Sequence, residues 1–297
     1  MAATAHRMPP PSDAARAGDW LLYAVALLVG LVVGSFLNVC IHRLPRQESV
    51  VWPGSRCPHC AAPIGWYDNI PLLSWLLLRA RCRSCGGSIS ARYPLVELTT
   101  GLLAVLALLR FGPTPWGLVA FAFAAALLVV SVVDLEHLII PDVVSLPGIL
   151  VGLAVSALVP GGVGLWNAIA GVWLGGGLLW LMAMTYERAT GVEGLGLGDA
   201  KLLAMVGAFL GWQAIPAVLV IASVVGTVAG LAVLLSHEGR QAARRVRRML
   251  GPAAVAVHWR RAARRTAIPF GPFLALGAAV ALFTPQLALP WSWVPPG

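Results

Sequence analysis

Apolar runs of about 17 to 23 residues recur along the whole chain, and each matches the thickness of a bilayer. They fall near 20–42, 94–110, 116–133, 143–159, 165–185, 214–235 and 268–289, with a shorter one at 200–212. Only 11% of the 297 residues are charged, against roughly 25% in soluble domains, and mean hydropathy is +0.82. These values exclude a water-soluble globule. The expected fold class is an all-α polytopic membrane protein with about eight transmembrane helices.

The first span follows a tail, 1–19, that holds His6, Arg7, Arg16 and three consecutive prolines. It runs into "GSFLNVCIHRLP" with no clear small-residue cleavage site, so it reads as a retained helix and not a removed signal peptide. The basic residues orient the chain. Seven arginines, Arg43 to Arg92, separate the first two spans, and nine more, Arg240 to Arg265, precede the last. Eight spans put both groups on one side with Arg188 and Lys201, which is 18 of the 21 Lys and Arg. That side is expected to be cytoplasmic, with both termini outside. Topology and attraction to anionic membrane lipids account for the +9 net charge. No nucleic-acid partner is expected, because the 240–265 run has only Trp259 as an interleaved aromatic.

Four of the five cysteines form two pairs, "CPHC" at 57–60 and "CRSC" at 82–85. Each C-x2-C makes a tight turn that aims two thiolates at one metal, and four thiolates close a tetrahedral shell around zinc. Disulfides rarely persist in cytoplasm. Cys57, Cys60, Cys82 and Cys85 are therefore read as a structural zinc site that folds the loop; two unpaired or redox-active dithiols are the alternative. His59 reads as a knuckle residue, and Cys40, alone in the first span, as a small buried hydrophobe.

Acidic residues at membrane depth are few and costly, and each is a functional candidate. Asp134 falls at the inner end of the third span, in "SVVDLEHLIIPD", and Asp199 at the inner start of the sixth, in "GLGLGDAKLL". The topology places both at the cytoplasmic edge of the bilayer. Two carboxylates brought together there share one proton, as in aspartic proteases: one takes a proton from water and the other polarises a peptide carbonyl. Gly194, Gly196 and Gly198 permit close backbone approach by substrate or by a second helix. A helix N-cap remains the bland alternative for Asp199. Asp142, between Pro141 and an apolar run, reads as a cap for the fourth span. Lys201 either neutralises the pair or marks the interface, and Glu136 and His137 are expected to face water.

With those motifs in order, the chain resembles the type IV prepilin peptidases, bifunctional membrane enzymes of bacterial type IV pilus and type II secretion systems. The resemblance runs from about residue 30 to 280. It rests on "GSFLNVCIHRLP", the paired C-x2-C loop with "WYDNIPLLSWL" and "ARYPLVELTTG", then "DLEHLIIPD", "GLGLGDAKLL" and "IPFGPFLALGA". It implies cleavage of the leader of prepilins or pseudopilins after a glycine, at the cytoplasmic face of the bacterial inner membrane. It also implies N-methylation of the new terminus with S-adenosylmethionine. On this resemblance Asp134 and Asp199 are the catalytic pair, and the zinc cysteines are Cys57, Cys60, Cys82 and Cys85. Gly196, Gly198, Lys201 and Asp142 are supporting candidates. The chain then divides into a tail 1–19, a first helix 20–42 and a zinc loop 43–93. A peptidase core 94–235, a basic loop 236–267 and a last helix with its tail, 268–297, complete it.

No glycine-rich fingerprint marks a methyl-donor pocket. The zinc loop, with its aromatics and the nearby acids Asp68 and Glu97, is the expected seat of methylation. A transporter or proton channel using Asp134 and Asp199 as relays is the alternative from another class, and a membrane-anchored zinc-ribbon binding module is the third. Neither explains the zinc loop and the G-x-G-D motif together.

Overall fold

The computed structural model describes residues 13–191, 196–235 and 269–284. Gly194 and the basic segment 236–267 lie outside the described residues. Every apolar run read from the sequence forms a helix: α1 (Asp13–Arg43), α3 (Arg92–Phe111), α4 (Pro115–His137), α5 (Asp142–Leu158), α6 (Leu165–Val172) with α7 (Leu178–Thr190), α8 (Leu197–Leu210), α9 (Ala214–Leu235) and α10 (Gly271–Phe283). A five-residue helix, α2 (Leu73–Leu77), lies in the cysteine loop. Among the described residues the only β pairing is two isolated bridges in that loop.

Among the described residues, five helices are long and apolar enough to cross a membrane: Trp20–Arg46, Arg92–Phe111, Pro115–His137, Leu165–Ala189 and Ala214–Ala232. The chain is a multi-pass membrane protein. The runs expected at 143–159 and 268–289 form helices of 17 and 13 residues, and the short sixth run forms one of 14. Eight crossings therefore remain an expectation.

The chain divides into two compact units, one of residues 1–38 with 55–112, the other of 39–54 with 113–297. In the first, α1 and α3 meet through small residues. A Cβ on Gly30 would stand 2.7 Å from Gly101 Cα, and one on Gly34 would stand 2.7 Å from Glu97 Cα. Close backbone approach of this kind drives helix association where hydrophobicity cannot. Asn38 Nδ2 donates to Tyr93 O at 3.0 Å and ties the helices together at one end.

In the second unit, α8 is the centre. Residues 202–209 are all buried, so this helix is apolar on every side. It packs against α5, α6 and the π-helical turn Trp173–Gly177 that joins α6 to α7. Gly171 of α6 and Gly207 of α8 meet backbone to backbone, and Gly175 and Gly176 of the π turn lie on Leu203 O and Ala204 Cβ. Phe209 stacks on Phe123 of α4 with ring centroids 4.4 Å apart, and Ser156 Oγ of α5 donates to Ala208 O at 2.8 Å. Surrounded this way, α8 is held by protein instead of by its own length. Its N-terminus carries Asp199.

Gly207→Val forces branched carbon into the α6 backbone, and overpacking of that kind costs about 1–3 kcal/mol. The detergent-solubilised variant should melt about 5 °C or more below wild type. Gly54→Ala, where an added Cβ meets nothing within 4 Å, should melt like wild type. Equal melting of all three proteins would mean that α6 and α8 do not cross there.

Candidate active site and metal centre

The two cysteine pairs form two copies of one turn. Cys57 N–H donates to Ala62 O and Ala61 N–H to Cys57 O; twenty-five residues on, Cys82 N–H donates to Gly87 O and Gly86 N–H to Cys82 O. The residue after each pair, Ala61 or Gly86, has positive φ, at 57° and 70°. Bridges Arg56–Pro63 and Arg81–Ser88 close both turns in the same register. The internal repeat "RCPHCAAPI" and "RCRSCGGSI" was legible in the sequence and was missed there.

The turns bring Cys57, Cys60, Cys82 and Cys85 together, with all four Sγ atoms within 4.8 Å of one another. Sγ of Cys57 and Cys85 are 3.9 Å apart. Tetrahedral zinc with Zn–S bonds of about 2.3 Å needs sulfurs about 3.8 Å apart, so the residues fit that ion. The backbone N–H groups of Cys60 and His59 hold the Cys57 thiol down to about 6, which favours the ligating thiolate. His59 is not part of the cluster.

Side chains brace the second turn. Arg83 grips Asp68 with two nitrogens, Nε to Oδ2 at 2.8 Å and NH2 to Oδ1 at 2.6 Å, and lies over the Tyr67 ring. The Arg83 hydrogen bonds keep the Asp68 carboxyl below its usual range. Glu97 does not belong to the loop. It is buried in α3, where it accepts Leu72 N–H at 2.8 Å and the Ser35 hydroxyl. Both acids expected near methylation thus have structural partners. Cys40 is only half-buried.

In the second unit, α4 carries Asp134 and α8 carries Asp199. Asp134 is 6% exposed, four helix positions deep from Leu138, whose left-handed conformation ends α4. Asp199 is half-buried and feels the charge of Asp134 directly. The fold therefore brings together two carboxylates that lie 65 positions apart in the chain. Glu136 and His137 are exposed, as expected.

Three readings of the polar residues change. Asp142 is not the cap of α5: Pro141 holds that position, and the Asp142 carboxylate takes Lys201 Nζ at 2.7 and 2.9 Å. Lys201 pairs with Asp142, not with the aspartate dyad. Asp199 is not a cap either, since Gly196 precedes the first residue of α8 and Asp199 is its third.

Two participants escaped the sequence reading. Gly271 N–H donates to Asp134 Oδ2 at 3.0 Å from the first residue of α10. A Cβ on Gly271 would stand 2.6 Å from that oxygen and 3.3 Å from Ile140 Cδ1. Ile140 also fills the space at Gly198, where a Cβ would meet it at 3.1–3.4 Å. The glycine of "IPFGPF" stood in a noted motif, but nothing local to it points at a residue 137 positions earlier.

The bacterial peptidase A24 N-terminal domain matches residues 28–111, which hold all four thiols. The type IV leader peptidase family matches residues 121–231, which hold both aspartates. A protein of Aeromonas hydrophila named prepilin leader peptidase/N-methyltransferase is 38% identical over 288 residues, 89% of this chain and 91% of its own. One of the same name from Burkholderia pseudomallei strain 1026b is 37% identical over 92% of each chain. Another, from Myxococcus xanthus, is 47% identical over 217 residues, 72% of this chain and 64% of its own. No solved structure matches the chain.

Elemental analysis of purified protein should find one zinc per chain, lost on serine substitution of Cys57, Cys60, Cys82 or Cys85. Asp68→Asn, which weakens the brace but keeps every ligand, should retain the metal and release it faster to a chelator. Metal-free wild-type protein would remove the site.

Proposed function

The chain belongs to the type IV leader peptidase family, and from that premise we propose that it removes the leader of prepilins and N-methylates the terminus so exposed. The observation that carries the reading is the pair Asp134 and Asp199, joined through charge inside the region that matches the family. Cleavage falls after a glycine, at the cytoplasmic face of the bacterial inner membrane, and pseudopilins are substrates of the same kind.

The dyad works as one acid–base unit. In this reading the two carboxylates share a proton, and their titration belongs to the pair. The ionised oxygen takes a proton from the attacking water while the shared proton polarises the scissile carbonyl. Gly271 N–H fixes one Asp134 oxygen, Oδ2, at 3.0 Å. Gly196 keeps the rim of the site low, where an extended leader can approach, and Gly198 makes room for Ile140.

Methylation needs a second arrangement. Cleavage leaves an α-amine with a pKa of about 8, largely protonated at neutral pH, and the lone pair must be freed first. The implied donor is S-adenosylmethionine, whose sulfonium supplies the methyl group when bound. We assign the donor no residues. Cys57, Cys60, Cys82 and Cys85 would hold zinc, which would serve a structural role and organise the loop used in this step. The relay reading, transport through Asp134 and Asp199, lacks comparable support: buried carboxylates suggested it, and the peptidase reading accounts for them and for the thiols.

Asp134→Asn and Asp199→Asn should each abolish leader cleavage of a co-expressed prepilin while the protein still inserts. Gly271→Ala pushes on the Asp134 carboxylate and should cost about 10–100-fold in rate. Asp142→Asn should keep measurable activity. Lys201→Asp should lose most activity, and Asp142→Lys combined with Lys201→Asp should recover part of it. An active Asp134→Asn protein beside a dead Asp142→Asn protein would mean that the dyad is misassigned.

The two activities should also separate. A Cys57→Ser, Cys60→Ser double variant should lose methylation more severely than cleavage, read by mass spectrometry of the products. Dyad variants should fail to cut yet methylate a synthetic pre-cut peptide. Failure on that peptide would point to one shared site.

A further inference from the structure

The segment between the cysteine pairs turns an apolar face outward. Trp66 is 81% exposed, Leu76 63% and Leu77 74%, with Tyr67 and Leu73 also open. The inward side of the same segment is well tied. Buried Ser74 accepts from Ile70 N–H and donates to Tyr67 O, and Trp75 Nε1 donates to Ile89 O. The leucines are thus the outer face of a folded turn. A contiguous apolar face of this kind marks a contact surface.

Its depth identifies the contact. Leu72 N–H, at the entry to α2, donates to Glu97 Oε2 at 2.8 Å. Glu97 is the sixth residue of α3, so at 1.5 Å per residue it lies about 7–8 Å along the helix from Arg92. The start of α2 is therefore held one side chain away from the second turn of a membrane-crossing helix. There α3 already shows an outward stripe, Leu95, Leu98, Leu102, Leu106 and Leu109, all exposed at helical spacing. That level is the boundary between headgroups and acyl chains, where amphipathic segments with aromatics settle.

The charges agree. Arg79 and Arg81 follow the Leu76–Leu78 run and are exposed. From Ser55 to Arg92 there are five arginines and a single carboxylate, Asp68, which Arg83 already occupies. Arginines flanking an apolar turn bury their stems and hold their heads at anionic headgroups.

We propose that the face formed by Trp66, Leu73, Leu76 and Leu77 docks into the surface of the bilayer that carries the chain, with Arg79 and Arg81 on anionic lipid headgroups. The cysteine module then rides on the membrane as a fixed element instead of swinging freely in water. The inference rests on burial and depth, not on the catalytic reading, and stands or falls separately from it.

The test uses the full chain in nanodiscs of phosphatidylcholine, with or without phosphatidylglycerol. A photoreactive benzoylphenylalanine is placed at Leu77, and in a second protein at Ser84, an exposed position of the metal turn. Irradiation should give lipid adducts several-fold more often at 77 than at 84, and more with phosphatidylglycerol than without. Arg79→Gln with Arg81→Gln should erase the phosphatidylglycerol increment. In a separate arm, Leu76→Asp with Leu77→Asp should keep the metal yet speed amide exchange across 73–81 several-fold in nanodiscs. Equal lipid labelling at 77 and 84, or unchanged exchange in the aspartate variant, would overturn the proposal. Adducts at 77 to a co-expressed prepilin instead of to lipid would also overturn it and make the face a protein-docking site.

Discussion

A carboxylate closed off inside a membrane-spanning helix must be answered by a donor, and Asp134 is answered by one backbone N–H, that of Gly271 at 3.0 Å. Desolvating an ionisable group costs several kcal/mol without such a partner. The hydrogen bond sets conditions on its neighbours. The donor comes from the first residue of α10, where helix N–H groups have no intrahelical acceptor and favour negative charge. That residue must be glycine, because a Cβ would strike the oxygen it serves. Ile140 then fills the gap beside Gly271 and reaches Gly198, so one apolar side chain spaces the helix ends that frame the two aspartates.

The same economy explains why α8 is short. A 14-residue helix places its N-terminus within the depth of the bundle only if its neighbours surround it, and here their glycines admit it to backbone contact. Asp199 consequently stands at the rim of a packed core, half-buried. The ion pair of Asp142 and Lys201 joins the start of α5 to the second turn of α8. Both groups are substantially exposed, so the pair adds little stability by itself. Its effect is geometric: it holds two helix starts in register beside the dyad.

Features whose geometry is set within a few residues were legible from the chain. Two C-x2-C turns must point their thiols inward, and apolar runs of bilayer length must be helical, so the metal cluster and the helix positions followed directly. The dyad was legible only through topology, since arginine counting put both aspartates on one side. What escaped depends on distant partners. Asp142 looked like a cap because proline and an apolar run follow the usual pattern, yet Pro141 took the cap position and Lys201, 59 residues on, took the carboxylate. Glu97 looked available to the loop, but α3 begins early enough to bury it. Gly271 carried no local sign of Asp134 at all.

The two units solve the problem of small size by different means, and each overlaps one family match: residues 28–111 belong mostly to the first, 121–231 to the second. The cysteine segment is too short to bury a core of its own, and its large apolar residues point outward. Cross-links must therefore hold it: four thiols, the Arg83–Asp68 grip and the anchor of Leu72 on Glu97. A metal bound by the four thiols would be the strongest of these, since a structural zinc site contributes folding energy outright. The helical unit carries no such cluster among its described residues and is held by glycine-mediated backbone contact. Losing a metal bound by the thiols should accordingly unravel the cysteine segment while the positions of Asp134 and Asp199, set by α4, α8 and α10, are kept. The forces that assemble the two places are not shared.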